Sequence, residues 1–175
     1  MPAADRVRQW AALAILVTVG GCDVSKPHGV LGLRWGEPAT EAASRLGLTC
    51  DAWEPWPGGA GFEMCRPASA SISAFGAPAS VVLIQKDGRI EGAQLAFADV
   101  ADGGRLRQAI LKEYDVEDSP SAYQTWSSGE AVRLEEEPQR AMLQLTVAGP
   151  RFGTAYAAWV LGGGIRDLGS GMQPR

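Results

Sequence analysis

Residues 80–98, SVVLIQKDGRIEGAQLAFA, decide how this chain folds. Residues 80–86 and 89–98 are two apolar-rich runs with Asp87-Gly88 between them. An Asp-Gly pair in that setting predicts a β-hairpin, because a type I′ turn needs positive φ at both central positions and Gly adopts it without strain. Upstream, Ala70, Ile72 and Ala74 alternate with Ser69, Ser71 and Ser73, the pattern of a half-buried strand. Downstream, residues 131–135 and 141–147 predict a second hairpin around Glu136-Glu137-Pro138-Gln139, with Leu143, Leu145 and Val147 alternating with Met142, Gln144 and Thr146.

Helical spacing flanks these strands. In residues 38–48, Ala39, Ala42, Ala43 and Leu46 share a face, Pro38 suits a first turn, and Gly47 stands where the helix can stop. Residues 102–114 form a second candidate helix, with Leu106, Ala109, Ile110 and Tyr114 on one side. Residues 115–128, rich in Asp, Ser and Pro, read as a loop. Residues 150–161 read either as a strand apolar on both faces or as a helix, and the helix is favoured. It has Pro150 at its start, Phe152, Tyr156 and Trp159 on one side, and Gly162-Gly163-Gly164 as a stop. The expected class is α+β, an antiparallel sheet of hairpins with two or three amphipathic helices on one face. The two halves echo one another as helix, Trp-bearing loop and hairpin, which suits an internal duplication.

The 175 residues, 46% hydrophobic and 21% charged, allow one domain and exclude a disordered, collagen-like or coiled-coil chain. The net charge of -4 argues against nucleic acid as a partner, since a phosphate backbone needs clustered Lys and Arg. One histidine rules out a multi-histidine metal site, and no metal or other cofactor is expected.

The N-terminus reads as an address. Arg6 and Arg8 precede the apolar residues 10–19, which are too short to span a bilayer, and Val19-Gly20-Gly21-Cys22 follows. This segment resembles a bacterial lipoprotein signal ending in a lipobox. The resemblance implies a diacylglyceryl group on the Cys22 sulfur, removal of residues 1–21, and acylation of the new N-terminus. The expected organisation is then a signal peptide (1–21), a lipidated tether (22–32) that includes His28, one α+β domain (33–166) and a tail (167–175). Attachment to the membrane would come from the acyl chains, as there is no polybasic patch. The location expected is the bacterial cell envelope, facing the periplasm. With Cys22 lipidated, Cys50 and Cys65 remain, and an oxidising compartment favours their pairing.

A second resemblance begins at Leu33-Arg34-Trp35-Gly36 and ends at Leu46-Gly47, with a helix between. It is similar to the opening of small envelope lipoproteins of the BamE (SmpA/OmlA) type. Those are non-enzymatic parts of envelope assemblies, so an envelope protein partner is what the resemblance implies.

No nucleophile elbow, phosphate-binding loop or zinc spacing occurs. Glu135-Glu136-Glu137 alternate in direction if they lie on a strand, so they do not converge on one atom. Asp115, Glu117 and Asp118 lack the spacing and glycine of a calcium loop. A non-catalytic binding or scaffolding role is expected. The runner-up is a small-ligand or glycan site on the loop holding Trp53 and Trp56, stiffened by Pro55 and Pro57, with Trp126 as a further surface candidate. A hydrolase acting through carboxylates such as Glu54 or Glu63 ranks third.

Overall fold

A computed structural model describes residues 29–67, 71–98, 103–137 and 141–162. The signal segment, Cys22, His28, most of the tether and the tail lie outside the described residues. In chain order the elements are α1 (Ala39–Arg45), β1 (Glu54–Pro55), β2 (Glu63–Cys65), β3 (Ser71–Ala74), β4 (Ala77–Lys86), β5 (Arg89–Ala98), α2 (Gly103–Tyr114), β6 (Ser121–Thr125), β7 (Ala131–Glu137), β8 (Met142–Ala148) and α3 (Pro150–Leu161). The fold is α+β, and the described strands form one antiparallel sheet in the order β1-β2-β4-β5-β8-β7-β6, with β3 also on β4.

The β4–β5 hairpin is its frame. Asp87 and Gly88 take φ of 54° and 72°, the signature of the I′ turn. Phe75 and Gly76 repeat it, at 52° and 77°, between β3 and β4, where no Asn-Gly or Asp-Gly pair signals a turn. The hairpin tip also fixes α1. Ala39 N–H donates to the Gly88 carbonyl at 2.9 Å, Ile90 N–H donates to Glu37 at 2.9 Å, and Arg89 reaches the Gly36 carbonyl at 2.7 Å. At its other end α1 closes in a Schellman pattern, Leu48 N–H to Ala43 and Gly47 N–H to Ser44, with Gly47 at φ 68°.

Two apolar layers hold the sheet. On one face α1 and α2 cover Ala79, Val81 and Leu83 of β4, Ala93, Leu95 and Phe97 of β5, Val132 and Leu134 of β7, and Leu143, Leu145 and Val147 of β8. This is the face expected to carry the helices. The opposite face, at one end of the strands, carries α3: Phe152 and Tyr156 pack with Trp56, Phe62, Ile84, Ala131 and Ala148. Gly92 and Gly153 permit that approach. A Cβ at Gly92 would lie 2.6 Å from the Phe152 ring, and one at Gly153 would lie 2.0 Å from the Gly129 carbonyl oxygen.

The two halves differ in connectivity, with five described strands after α1 and three after α2. Helix α1 leads through β1 to β2, β4 and β5, with β3 inserted between β2 and β4, and α2 leads to β6, β7 and β8, which form a continuous antiparallel meander. The two sets meet at the centre, where β5 and β8 pair antiparallel with Leu95 opposite Leu145.

Three local expectations need correction. Residues 115–128 are not all loop, because β6 lies within them and pairs with β7 from Ser121–Glu135 to Thr125–Ala131. Its five residues are too few for alternation to show among polar neighbours. On α2, Ala109 is exposed, while Arg107 and Leu111 join Leu106, Ile110 and Tyr114 in the buried set. Arg107 is buried because it has partners: it donates to Asp118 at 2.9 Å, to the Ser119 carbonyl and to Glu136 at 3.3 Å. Finally, Val30, expected in the tether, is only 4% exposed and belongs to the main core.

Candidate interaction surface

Cys50 and Cys65 form a disulfide across a separation of 15 residues. It ties the segment after α1 to β2. The loop that it closes contains both Trp53 and Trp56, but it does not present them together. Trp56 is 3% exposed, and its ring makes edge contacts with Phe62, Phe152 and Trp159, at centroid distances of 6.2, 5.0 and 5.3 Å. The expected surface residue is therefore a core residue, which corrects the reading of a two-Trp platform. Trp53 is half-buried against the layer on the other face of the sheet, and Trp126 is half-buried against that same layer. The aromatic-rich loop is a plug between α3 and the sheet. Sequence alone does not distinguish plug from platform, because both want a rigid loop with large rings.

Trp35 is also tied down. Its Nε1–H donates to Glu130 at 2.8 Å, and Ser128 donates to the other oxygen of Glu130 at 2.9 Å. Its ring packs over Gly149, where a Cβ would lie 2.8 Å away. Glu130 is 2% exposed, so this carboxylate staples the turn after β6 to the chain before α1.

The carboxylates that could serve catalysis are dispersed. Glu54 is exposed on β1, and Glu63 on β2 accepts from Gln85 at 2.9 Å; they are not cross-strand partners, since Glu54 faces Met64 and Pro55 faces Glu63. Glu91 is 3% exposed beside the start of α3. Burial pushes its pKa above the ordinary glutamate value, and Arg151, which donates at 3.0 Å, pulls the other way. Glu135 is raised by burial and by Glu137, against the pull of Arg133. Asp118 is lowered by Arg107 and Gln108, and Glu37 by Arg45. Glu136 turns to Arg107 while Glu135 turns to Arg133, so consecutive carboxylates on β7 point to opposite faces. Asp115, Glu117 and Asp118 assemble no ligand cage, and among the described residues no cluster of three metal-ligating side chains occurs.

Glu91 gives a pH prediction. Its folded pKa is raised, so its contribution to stability is complete below the ordinary glutamate value and declines as pH rises through the folded value. Relative to Glu91→Gln, the wild-type protein loses stability between pH 4 and pH 7. Urea midpoints measured at both pH values for the two proteins check this, and a constant difference contradicts it.

What the sheet does offer is an edge. One border is short and interrupted: β1 has two residues, one of them Pro55, β2 has three, and β3, beside β2 on β4, has four. The other border is β6, five residues (SAYQT) in unbroken register with β7. The Tyr123 hydroxyl is buried on the α3 side of β6, and among the described residues it has no hydrogen-bond partner.

The fold and this edge define the class of protein: a small disulfide-stapled α+β domain built on one antiparallel sheet with helices on both faces. Comparison with protein-family models, curated proteins and solved structures finds no match to the chain.

Proposed function

We propose that this protein is a bacterial envelope lipoprotein, anchored through lipid on Cys22, whose domain works by binding a protein partner rather than by catalysis. The observation that carries this reading is the Cys50–Cys65 disulfide. It consumes both cysteines of the domain, so the remaining one, Cys22, is the one that follows Val19-Gly20-Gly21. A disulfide also suits an oxidising compartment such as the periplasm. The position of Val30 in the core supports tethering. From Cys22 to Gly29 is seven residues, a reach of at most about 25 Å for an extended chain. A lipid on Cys22 would hold the domain close to the bilayer and raise its effective concentration toward membrane-bound partners.

Binding is favoured over hydrolysis because an acid–base catalyst holds its carboxyl groups within reach of one bound substrate. The carboxylates with shifted pKa values are instead paired separately: Glu37 with Arg45, Glu91 with Arg151, Asp118 with Arg107 and Glu135 with Arg133.

Fractionation of cells expressing wild type and Cys22→Ala tests the anchor. Wild type is expected in the membrane fraction and released by detergent but not by high salt. Cys22→Ala is expected to lose lipid labelling from radiolabelled palmitate. Equal labelling of the two proteins would overturn the proposal.

A further inference from the structure

We propose that β6 is a docking edge, at which an extended, basic segment of another polypeptide adds to the sheet as a further strand. The proposal deepens the binding reading above and rests on it for the claim that the domain acts by binding, but not for the lipid anchor.

An exposed strand edge offers a row of unpaired N–H and C=O groups, and proteins usually blunt such edges with charge, proline, bulges or brevity. The opposite border, made by β1 and β3, uses brevity, with two and four residues, and β1 adds Pro55. Within β6 itself none of these devices occurs. Pro120 stops short of the strand, SAYQT carries no charge, and the five-residue register with β7 has no shift. Among the described residues β6 is bonded on one side only, to β7. The Thr125 carbonyl accepts from the Gln124 side chain at 3.1 Å, a bond that an incoming strand would displace. An otherwise regular edge suits strand addition, in which main-chain hydrogen bonds supply affinity and neighbouring side chains supply selectivity.

Charge selects the occupant. Glu117 and Asp118 lie just before β6, and Glu135, Glu136 and Glu137 lie on β7 at and beyond the residue opposite Ser121. Arg107 draws Asp118 and Glu136 together, at 2.8 and 3.3 Å. These five carboxylates outnumber the four cations Arg105, Arg107, Lys112 and Arg133 on α2 and β7. The side chains of Asp118 and Glu136 are each 52% exposed, so their negative charge reaches solvent. A segment with Lys or Arg at the Ser121 end complements this rim. A second copy of the chain does not, because it brings a net charge of -4 to an acidic rim.

The test uses the purified full-length protein in detergent and three capped nonapeptides. The first alternates Lys with Thr. The second is the same peptide N-methylated at alternate residues, which removes its donors along one edge. The third has Glu in place of Lys. Fluorescence anisotropy is expected to show binding of the first peptide, with the other two at least about tenfold weaker. Bound peptide should slow hydrogen exchange of amides within residues 121–125. Glu117→Gln, a change at an exposed rim residue, should weaken the Lys peptide about twofold to threefold without moving the melting temperature, because rim charges act mainly on encounter. Equal binding of the N-methylated peptide would overturn the proposal, since charge alone would then suffice. So would absence of binding at millimolar peptide, or sedimentation showing β6 occupied by a second copy. None of these results bears on lipid labelling at Cys22, so failure of the edge and failure of the anchor are separable.

Discussion

Trp56→Ala is expected to destabilise the domain by about 3–5 kcal/mol, the range for removing a large aromatic side chain from a core. Trp56 is 3% exposed and touches three other rings, so its loss leaves a void between α3 and the sheet that Phe62 and Phe152 cannot close without moving. The Gly58 backbone lies against the same ring, since a Cβ there would sit 2.0 Å from it. The loop is thus shaped around the indole. Trp53→Ala and Trp126→Ala should each cost less, because both rings are half-buried. Urea unfolding of the three variants checks the order. If Trp56→Ala unfolds with the wild-type midpoint while losing a bound ligand, the plug is instead a binding platform, and the glycan or small-ligand reading returns.

Loss of the Cys50–Cys65 bond is the second large effect. Closing a loop of 15 residues stabilises by about 3 kcal/mol when the entropy of the unfolded chain is the main contribution. Reduction, or the double change Cys50→Ala and Cys65→Ala, should lower the melting temperature by roughly 6–12 °C for a domain of this size. The consequence reaches beyond stability. The bonded loop carries Trp56 into the α3 layer, so α3 amides should exchange faster in the reduced protein while β5 and β8 amides change little. Uniform acceleration across the sheet would show that the two layers do not open separately.

Much of this fold is legible in the chain because its strongest local signals coincide with its centre. Asp87-Gly88 fixes a hairpin whose tip also fixes α1, and alternation in β8 identifies the residues facing the main core. Pro150 and the Phe152, Tyr156, Trp159 spacing mark α3 correctly as a helix. The layer that α3 covers is harder to foresee. Which face a helix takes depends on long-range contacts, here the absence of a Cβ at Gly92 and Gly153, and a glycine in a sequence does not announce what approaches it. Strand β6 is hidden for a related reason: SAYQT is polar enough to read as loop, and what makes it a strand is its pairing with β7. Arg107 is the counterpart on α2, a charged residue whose burial follows from Asp118, Ser119 and Glu136 arriving from elsewhere in the chain. The candidate surface was legible only in part. Tryptophans attract attention as anchors, yet Trp56 serves the core, while the edge at β6 bears no residue type that sequence reasoning would single out.

The most direct test of the central claim is the mass of the protein extracted from bacterial membranes with detergent. The account predicts a chain beginning at Cys22, heavier than residues 22–175 by one diacylglyceryl group and one N-linked acyl chain, with Cys50 and Cys65 both oxidised. An unmodified 18.5 kDa chain that retains residues 1–21 would contradict it.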